Sequence, residues 1–414
     1  MDNTHCRFCG NKLKHTFADL GLSPLANEYV SKKNVHHGQM FYPLKVKICD
    51  QCFLAQAELY QQPENIFSEY QYFSSYSADW LVHCKSYVEM IISRLRLNSS
   101  SKVLEIACND GYLLQYFLPH NIPVKGIEPA ENVAAEAQAK GIKVDCCFFD
   151  EDTAKGILSQ DGTYDLVIGN NVLAHVPDIN SFVEGLAIVL SPHGTITMEF
   201  PHLMRLIEGK QFDTIYHEHF YYLSLTAAQK IFQAHGLDIY DVEEIPTHGG
   251  SLRIYAAHSG KYAVRNSVTA LLLREQTFGL TTIDRYAYFS EQIMNIKLET
   301  LSLLAKLKRD GKRIAAFGAA AKGNTFLNYC GIKSDIIDFV IDSNPHKQGN
   351  YLPGSLIPIV SPDILQKYKP DYLLILPWNW TQEIVENASF VEEWGCQFIT
   401  CVPEVRIFSG KSRN

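Results

Sequence analysis

Residues 214–224, TIYHEHFYYLS, set Tyr216, His217, Glu218 and His219 in a row, with Tyr221 and Tyr222 just behind. Four consecutive side chains able to move protons or bind metal admit three readings: a metal site, an acid/base site, or a polar strand rich in histidine. A metallohydrolase helix spaces its histidines i, i+4, as in H-E-x-x-H; His217 and His219 lack that spacing. A neutral imidazole, with a pKa near ~6.5, suits proton abstraction near neutral pH. In an extended chain, residues 216 and 218 would share one face and 217 and 219 the other. Convergence on one pocket therefore requires a turn or helix entry, and irregular backbone is expected.

A second set of reactive residues accounts for metal more economically. Cys6-x-x-Cys9 and Cys49-x-x-Cys52 form two knuckles separated by residues 10–48. Two such pairs close a tetrahedron of thiolates around zinc and leave no open position, which implies a structural site. A redox C-x-x-C would stand singly at a strand-to-helix junction.

The elements between these motifs read as alternating strands and helices. KVLEIACNDG, residues 102–111, is a buried strand entering a polar turn, E-x-x-x-N-D-G, followed by YLLQYFL with helical character. IPVKGIEPA ends a second strand at Glu128, YDLVIGNNVLAHV carries a strand over Asp165 to Ile168 into Asn170 and Asn171, and HGTITMEF ends at Glu199. This alternation predicts a doubly wound parallel sheet with ligands at the carboxyl ends of its strands. No G-x-G-x-x-G is present, which argues against a nicotinamide enzyme. A compact turn (Glu105, Asn109, Asp110, Gly111), an acid placed for a ribose diol (Glu128, beside Pro129) and polar strand ends (Asn170, Asn171) suit S-adenosylmethionine; Phe149 is assigned to the same pocket.

Farther on, residues 259–310 show helical spacing up to a stop at Gly311, and a further α/β unit follows. RIAAFGAAAKGNTFLNY is strand, Gly-rich turn and helix; IIDFVIDSNPHKQG ends a strand at Asp342; DYLLILPWNW ends in Pro377, Trp378 and Asn379. Gly318 to Gly323, with Lys322, could hold a phosphate at a helix N-terminus or serve packing alone; Asn324 and Asn379 complete the candidate set. His248 in PTHGGSLRIY is a further candidate substrate contact, as is Glu199.

The chain has 414 residues, 46% of them hydrophobic and 20% charged, enough for two or three cores. A net charge of −8 argues against a nucleic-acid partner. No apolar run reaches the ~18 residues of a membrane span, and MDNTHCRFCG lacks a leader's apolar core. Eleven cysteines read as thiols or metal ligands. The expected setting is cytoplasmic, with no membrane partner, and the expected state is a monomer.

Taken in order, C-x-x-C…C-x-x-C, E-x-x-x-N-D-G with G-I-E-P, Y-H-E-H-x-x-Y-x-S and G-A-x-A-K-G resemble the sugar C-methyltransferases, from Cys6 to about Pro403. The resemblance implies an α/β chain with a small zinc-binding domain (1–68), a central Rossmann-like class I methyltransferase domain (69–258), a helical connection (259–310) and a C-terminal Rossmann-like domain contacting a nucleotide sugar (311–414). It implies S-adenosylmethionine and zinc as cofactors. The implied acceptor is a nucleoside-diphosphate 4-keto-6-deoxyhexose methylated on C-3. It implies His219 as base, with Tyr216, Glu218 and His175 lining the sugar site, Tyr222 of the same motif beside them, and Tyr76 of YQYFSSYSADW in the pocket. Cys108 departs from the family's commoner serine. The alternatives are a zinc metallohydrolase and a non-enzymatic zinc-ribbon interaction module.

Overall fold

A computed structural model describes residues 3–61 and 74–410, apart from the side chains of Tyr76 and Ala78. The chain forms two compact units: Met1–Lys14 with Cys49–Leu203 and Phe220–Thr281, and His15–Ile48 with Met204–His219 and Thr282–Asn414. Both cysteine knuckles thus belong to the first unit, while the segment between them belongs to the second.

In the first unit, seven strands make one sheet: β1 (Val103–Ile106), β2 (Val124–Ile127), β3 (Lys143–Asp145), β4 (Tyr164–Asn170), β5 (Leu190–Pro201), β6 (Leu237–Ile245) and β7 (Ser251–His258). Their spatial order is β6-β7-β5-β4-β1-β2-β3. Only β7 runs antiparallel to its neighbours β5 and β6. All four residues of β1, Val-Leu-Glu-Ile, are buried, as a strand covered on both faces must be. Its glutamate is the exception in composition. The helix α1 (Ala78–Leu95) begins at Ser77, whose Oγ accepts from the Trp80 N–H, and buries Cys84, Tyr87, Val88 and Ile91 at helical spacing; α2 (Glu131–Ala139), α3 (Glu151–Asp161), α4 (Ile179–Val189) and α5 (Leu225–Ala234) follow it in this unit.

The stretch YLLQYFL forms two 3₁₀ turns, Leu114–Tyr116 and Leu118–His120, in place of the expected helix. Pro119 supplies no backbone donor and ends any continuous ladder. The connection over 259–310 contains two helices, α6 (Asn266–Phe278) and α7 (Ile283–Arg309), because Gly279 takes φ 98° and caps the first.

In the second unit, a six-stranded sheet contains β8 (Ile314–Phe317), β9 (Val340–Ile341), β10 (Ile359–Val360), β11 (Tyr372–Ile375), β12 (Gln397–Thr400) and β13 (Arg406–Phe408), ordered β10-β9-β8-β11-β12-β13. It is parallel except for β13. The helix α8 (Ala321–Cys330) follows the Gly-rich turn after β8. An antiparallel ribbon, His15–Ser23 with Tyr42–Ile48, completes this unit, and its Phe17 stacks on Phe289 of α7.

Candidate active site

The two knuckles are tight turns. Gly10 N–H donates to Cys6 O with Gly10 at φ 72°, and Phe53 N–H donates to Cys49 O with Phe53 at φ 60°. All four sulfurs lie within 4.8 Å of one another, and the Cys6–Cys52 and Cys9–Cys49 pairs are 3.6 Å apart. A tetrahedron with zinc–sulfur bonds of ~2.3 Å has edges of ~3.8 Å, so the cluster fits zinc with little adjustment. Asn11 Nδ2 points at Cys49 Sγ from 3.7 Å, a fixed dipole on that sulfur.

At the carboxyl end of β1 the chain turns through Ala107, Asn109 and Gly111 at φ 57°, 48° and 75°. Three left-handed residues in five make a tight concave turn. A Cβ on Gly111 would lie 2.5 Å from Ile142 Cδ1 and 3.2 Å from Ala137 Cβ, and the positive φ itself favours glycine. Glu128 Oε2 accepts from Asn109 N–H at 2.9 Å and Oε1 from Ala130 N–H at 3.0 Å, which ties the second strand end to the turn. Lys140 Nζ donates to Asp110 O at 2.6 Å. Cys108, the departure from the family pattern, is buried with its sulfur over Gly126, where a Cβ would stand at 2.3 Å. Its environment is packing.

Glu105 is fully buried, and neither carboxylate oxygen has a hydrogen-bond partner of normal geometry among the described residues. Burial pushes its carboxyl well above the usual range, with Tyr112 acting against this and the charges of Glu128 and Asp110 adding to it. Asp110 Oδ1 is likewise buried and without a partner among the described residues. Three carboxyl groups converge on one turn, and two of them, Glu105 and Asp110, carry buried oxygens without a partner among the described residues. S-adenosylmethionine, carrying a sulfonium and an ammonium, fits that donor set.

Asn170 ends β4, and Asn171 follows at φ 53° with Oδ1 buried and without a partner among the described residues. Asn171 Nδ2 donates to His248 Nε2 at 3.3 Å. His248, itself at φ 55° before two positive-φ glycines, packs on Trp80 at 5.5 Å. Glu199 is fully buried: Oε1 accepts from Thr247 Oγ1 at 3.1 Å, and Oε2 from Arg253 Nη2 and His83 Nε2, each at 3.0 Å. Burial opposes its charge, but His83 and Arg253 together hold its carboxyl below the usual range. Phe149 turns into the apolar core, edge-on to Phe182 at 5.5 Å, and Pro129 O accepts from Cys146 Sγ. His175 sits in the turn after β4, its N–H donated to Val172 O. Tyr222 is buried on a short strand paired with Ala55. The Tyr76 side chain lies outside the described residues.

The motif of the second unit resolves its geometric difficulty with a turn. Phe212–Thr214 is a single 3₁₀ turn, and His219 N–H donates to Tyr216 O at 2.9 Å. This brings the Tyr216 and His219 rings to 3.9 Å, tilted by 36°. His219 Nδ1 lies 2.8 Å from Thr214 O. A carbonyl only accepts, so Nδ1 carries hydrogen and the neutral ring has its lone pair on Nε2. His217 departs the other way, donating Nε2–H to Pro43 O at 3.2 Å. Glu218 is buried and accepts from Asn27 Nδ2 at 2.6 Å; burial pushes its carboxyl up to about 7, with Asn27 acting against it.

At the Gly-rich turn, Gly318 takes φ 91° with Pro377 where a Cβ would be, and Ala319 N–H donates to Asp342 Oδ2 at 2.8 Å. Lys322 Nζ donates to Asn379 Oδ1 at 3.2 Å and lies 4.9 Å from the Trp378 ring centroid. Burial lowers the Lys322 ammonium, against the charge of Asp213. Asp213 is itself buried and pushed up to about 6 by that burial, while accepting from Trp378 Nε1 at 2.7 Å. Asn324 is buried and donates to Ala26 O at 2.6 Å, binding helix α8 to the segment before Asn27.

Sequence reasoning did not single out His83, Trp80, Arg253, Asp213 or Asn27. All but Trp80 meet their partners only through tertiary structure, across 54 positions for Arg253 and Glu199 and more than a hundred for His83, Asp213 and Asn27. Asp213, three residues before Tyr216, was within reach of a reading that extended the motif backwards.

Three family models match in succession: a zinc binding domain over residues 6–67, a methyltransferase domain over 83–242 and a C-methyltransferase C-terminal domain over 246–403. The chain is 33% identical to C-methyltransferase NovU of Streptomyces niveus over 408 residues, 98% of this chain and 97% of that protein. A ubiquinone biosynthesis O-methyltransferase of Rhizobium johnstonii is 30% identical over 99 residues, 23% of this chain and 39% of that one. Among solved structures, magnesium protoporphyrin IX methyltransferase of Synechocystis with bound SAH is similar at 20% identity and TM-score 0.34, covering 43% of this chain and 83% of that one. Matched from its zinc knuckles to its last sheet, the chain belongs to the C-methyltransferase family, an enzyme that transfers methyl groups from S-adenosylmethionine and carries zinc on its four cysteines.

Proposed function

We propose that this enzyme methylates C-3 of a nucleoside-diphosphate 4-keto-6-deoxyhexose through an enolate, as a cytoplasmic monomer in branched deoxysugar synthesis. The observation that carries the reading is His219: its Nδ1–H is held by Thr214 O, so Nε2 is the basic nitrogen, and Tyr216 lies against the ring. A saturated sugar carbon is no nucleophile until a neighbouring ketone lets its carbanion delocalise. His219 Nε2 takes the C-3 proton, and the C–H electron pair moves into the enolate. Tyr216 donates a hydrogen bond to the C-4 oxygen, where negative charge develops. Glu218, held by Asn27, balances the imidazolium. When bound, S-adenosylmethionine supplies an electrophilic methyl on sulfur. Glu105, Asp110, Gly111 and Glu128 hold that donor's cationic end and ribose, and Asn170 and Asn171 border it. Lys322, with Asn379, Asn324 and Gly318 around its turn, takes the diphosphate.

NovU, a C-methyltransferase matched along nearly the whole chain, supports carbon as the methylated atom. The test offers S-adenosylmethionine and a panel of thymidine- and guanosine-linked 4-ketosugars, and looks for a mass gain of one methylene. No gain with any member would remove the sugar assignment. A methyl on C-5, the other carbon beside the ketone, would move the base to that carbon.

A further inference from the structure

One cluster in the methyltransferase unit is built like a catalytic group yet has no part in the mechanism above. Glu199 on β5 and Arg253 on β7 are register partners across the sheet, and His83 comes down from the second turn of α1 onto the same carboxylate. An ionised oxygen 3.0 Å from a bare ring nitrogen would be repelled, so His83 Nε2 carries the hydrogen and donates it to Glu199. Arg253 Nη2 also approaches that nitrogen, at 3.2 Å, but its hydrogen goes to the carboxylate, the stronger acceptor. The arrangement leaves Nδ1 as an acceptor with no hydrogen-bond partner among the described residues, on a side chain 21% exposed. Trp80 fixes the ring plane by stacking at 5.0 Å and 22°. The same indole touches His248, which is bonded to Asn171 at the carboxyl end of β4. In a doubly wound sheet that edge is where ligands bind.

We propose that His83 is a substrate-contacting residue of the methyltransferase unit, whose Nδ1 accepts a hydrogen bond from a hydroxyl group of the methyl acceptor. Glu199 and Arg253 are its positioning residues: the carboxylate fixes the tautomer, the guanidinium keeps the carboxylate ionised, and Trp80 sets the plane. A polyol fits this chemistry, because every ring carbon not being methylated offers an O–H donor. The choice of acceptor rests on the ketosugar reading; the tautomer does not.

Two substitutions separate contact from scaffolding. In His83→Gln the amide nitrogen reaches Glu199 as Nε2 does, but the Nδ1 acceptor is gone. In His83→Asn the amide oxygen stands where Nδ1 stood, and the Glu199 bond is lost. With the full chain and a turned-over ketosugar, His83→Gln should raise the acceptor KM by ~10-fold, one lost hydrogen bond. Affinity for S-adenosylmethionine should stay within ~2-fold, and His83→Asn should keep most of the acceptor affinity. The reverse order, or equal loss in both variants, overturns the proposal. Nitrogen-15 NMR of the wild-type chain saturated with S-adenosylhomocysteine, assigned by difference from His83→Gln, should show the Nε2–H form. An Nδ1–H form refutes the proposal whatever the acceptor. Wild-type inactivity on every ketosugar would instead defeat the sugar assignment and leave the tautomer to decide His83.

Discussion

Replacing Glu105 by glutamine should make the ligand-free protein more stable and the cofactor weaker. The wild-type carboxyl is fully buried beside Glu128 and Asp110, with no normal hydrogen bond to either oxygen. Above the ordinary glutamate value the unfolded carboxyl ionises while the buried one keeps its proton, which costs ~1.4 kcal/mol per pH unit, or ~1–3 kcal/mol one to two units above it, and glutamine removes that cost without changing the volume. For a domain of this size that corresponds to a rise of ~2–10 °C in melting temperature. The same carboxylate is the group best placed to meet the donor's cationic end. Hydrogen bonds to charged groups are worth ~1.5–3 kcal/mol, so affinity should fall ~10- to 150-fold. The pH dependence has a definite sign. A carboxyl whose folded pKa is raised binds more protons folded than unfolded, so wild-type stability falls as pH rises from the ordinary glutamate value toward the folded one. That slope should flatten in Glu105→Gln. Calorimetry in buffers of different ionisation enthalpy should also show a proton released when S-adenosylmethionine binds the wild type, and less release in the variant. A variant that is less stable, or that binds the cofactor as tightly as wild type, would refute the reasoning.

Three further outcomes follow from other sites. Cys49→Ser should release the zinc and lower the melting temperature, with one ion per wild-type chain by elemental analysis; an ion lost in His219→Ala would point to metal chemistry at the motif instead. Glu218, pushed up to about 7 by burial, makes stability fall as pH rises from ~4.3 through about 7. Asn27→Leu should carry that window higher, and an unchanged profile would show that the bond at 2.6 Å does not hold the carboxylate. Trp378→Phe removes the indole donor of buried Asp213 and should cost ~1–3 kcal/mol by denaturant titration, whereas a neutral effect would mean that Asp213 is protonated and satisfied another way.

The doubly wound sheet was legible because its central strands are short, largely apolar runs that lead into polar residues at their carboxyl ends, as Asn170 shows. The zinc knuckles were legible for a simpler reason: ligand spacing is local. Convergence of Tyr216 and His219 was anticipated only as a requirement, since nothing in YHEH itself encodes the turn, closed by His219 N–H on Tyr216 O, that achieves it. What the segment between the knuckles packs against was not legible. Residues 15–48 lie between two metal knuckles in sequence, yet Phe17 finds its core against Tyr286 and Phe289 of α7. Glu199 looked like a strand end open to substrate, but Arg253 and His83, 54 and 116 positions away, occupy its carboxylate. Long-range pairing of this kind leaves no periodic trace.

The central claim is carbon methylation driven by His219. The most direct measurement is carbon NMR of the product formed from methyl-labelled S-adenosylmethionine and a nucleotide 4-ketosugar, by wild type and by His219→Ala with unchanged cofactor affinity. The account predicts a labelled methyl bonded to the ring carbon beside C-4 in the first case and no product in the second. A methyl on oxygen, or full turnover without the His219 ring, would contradict it.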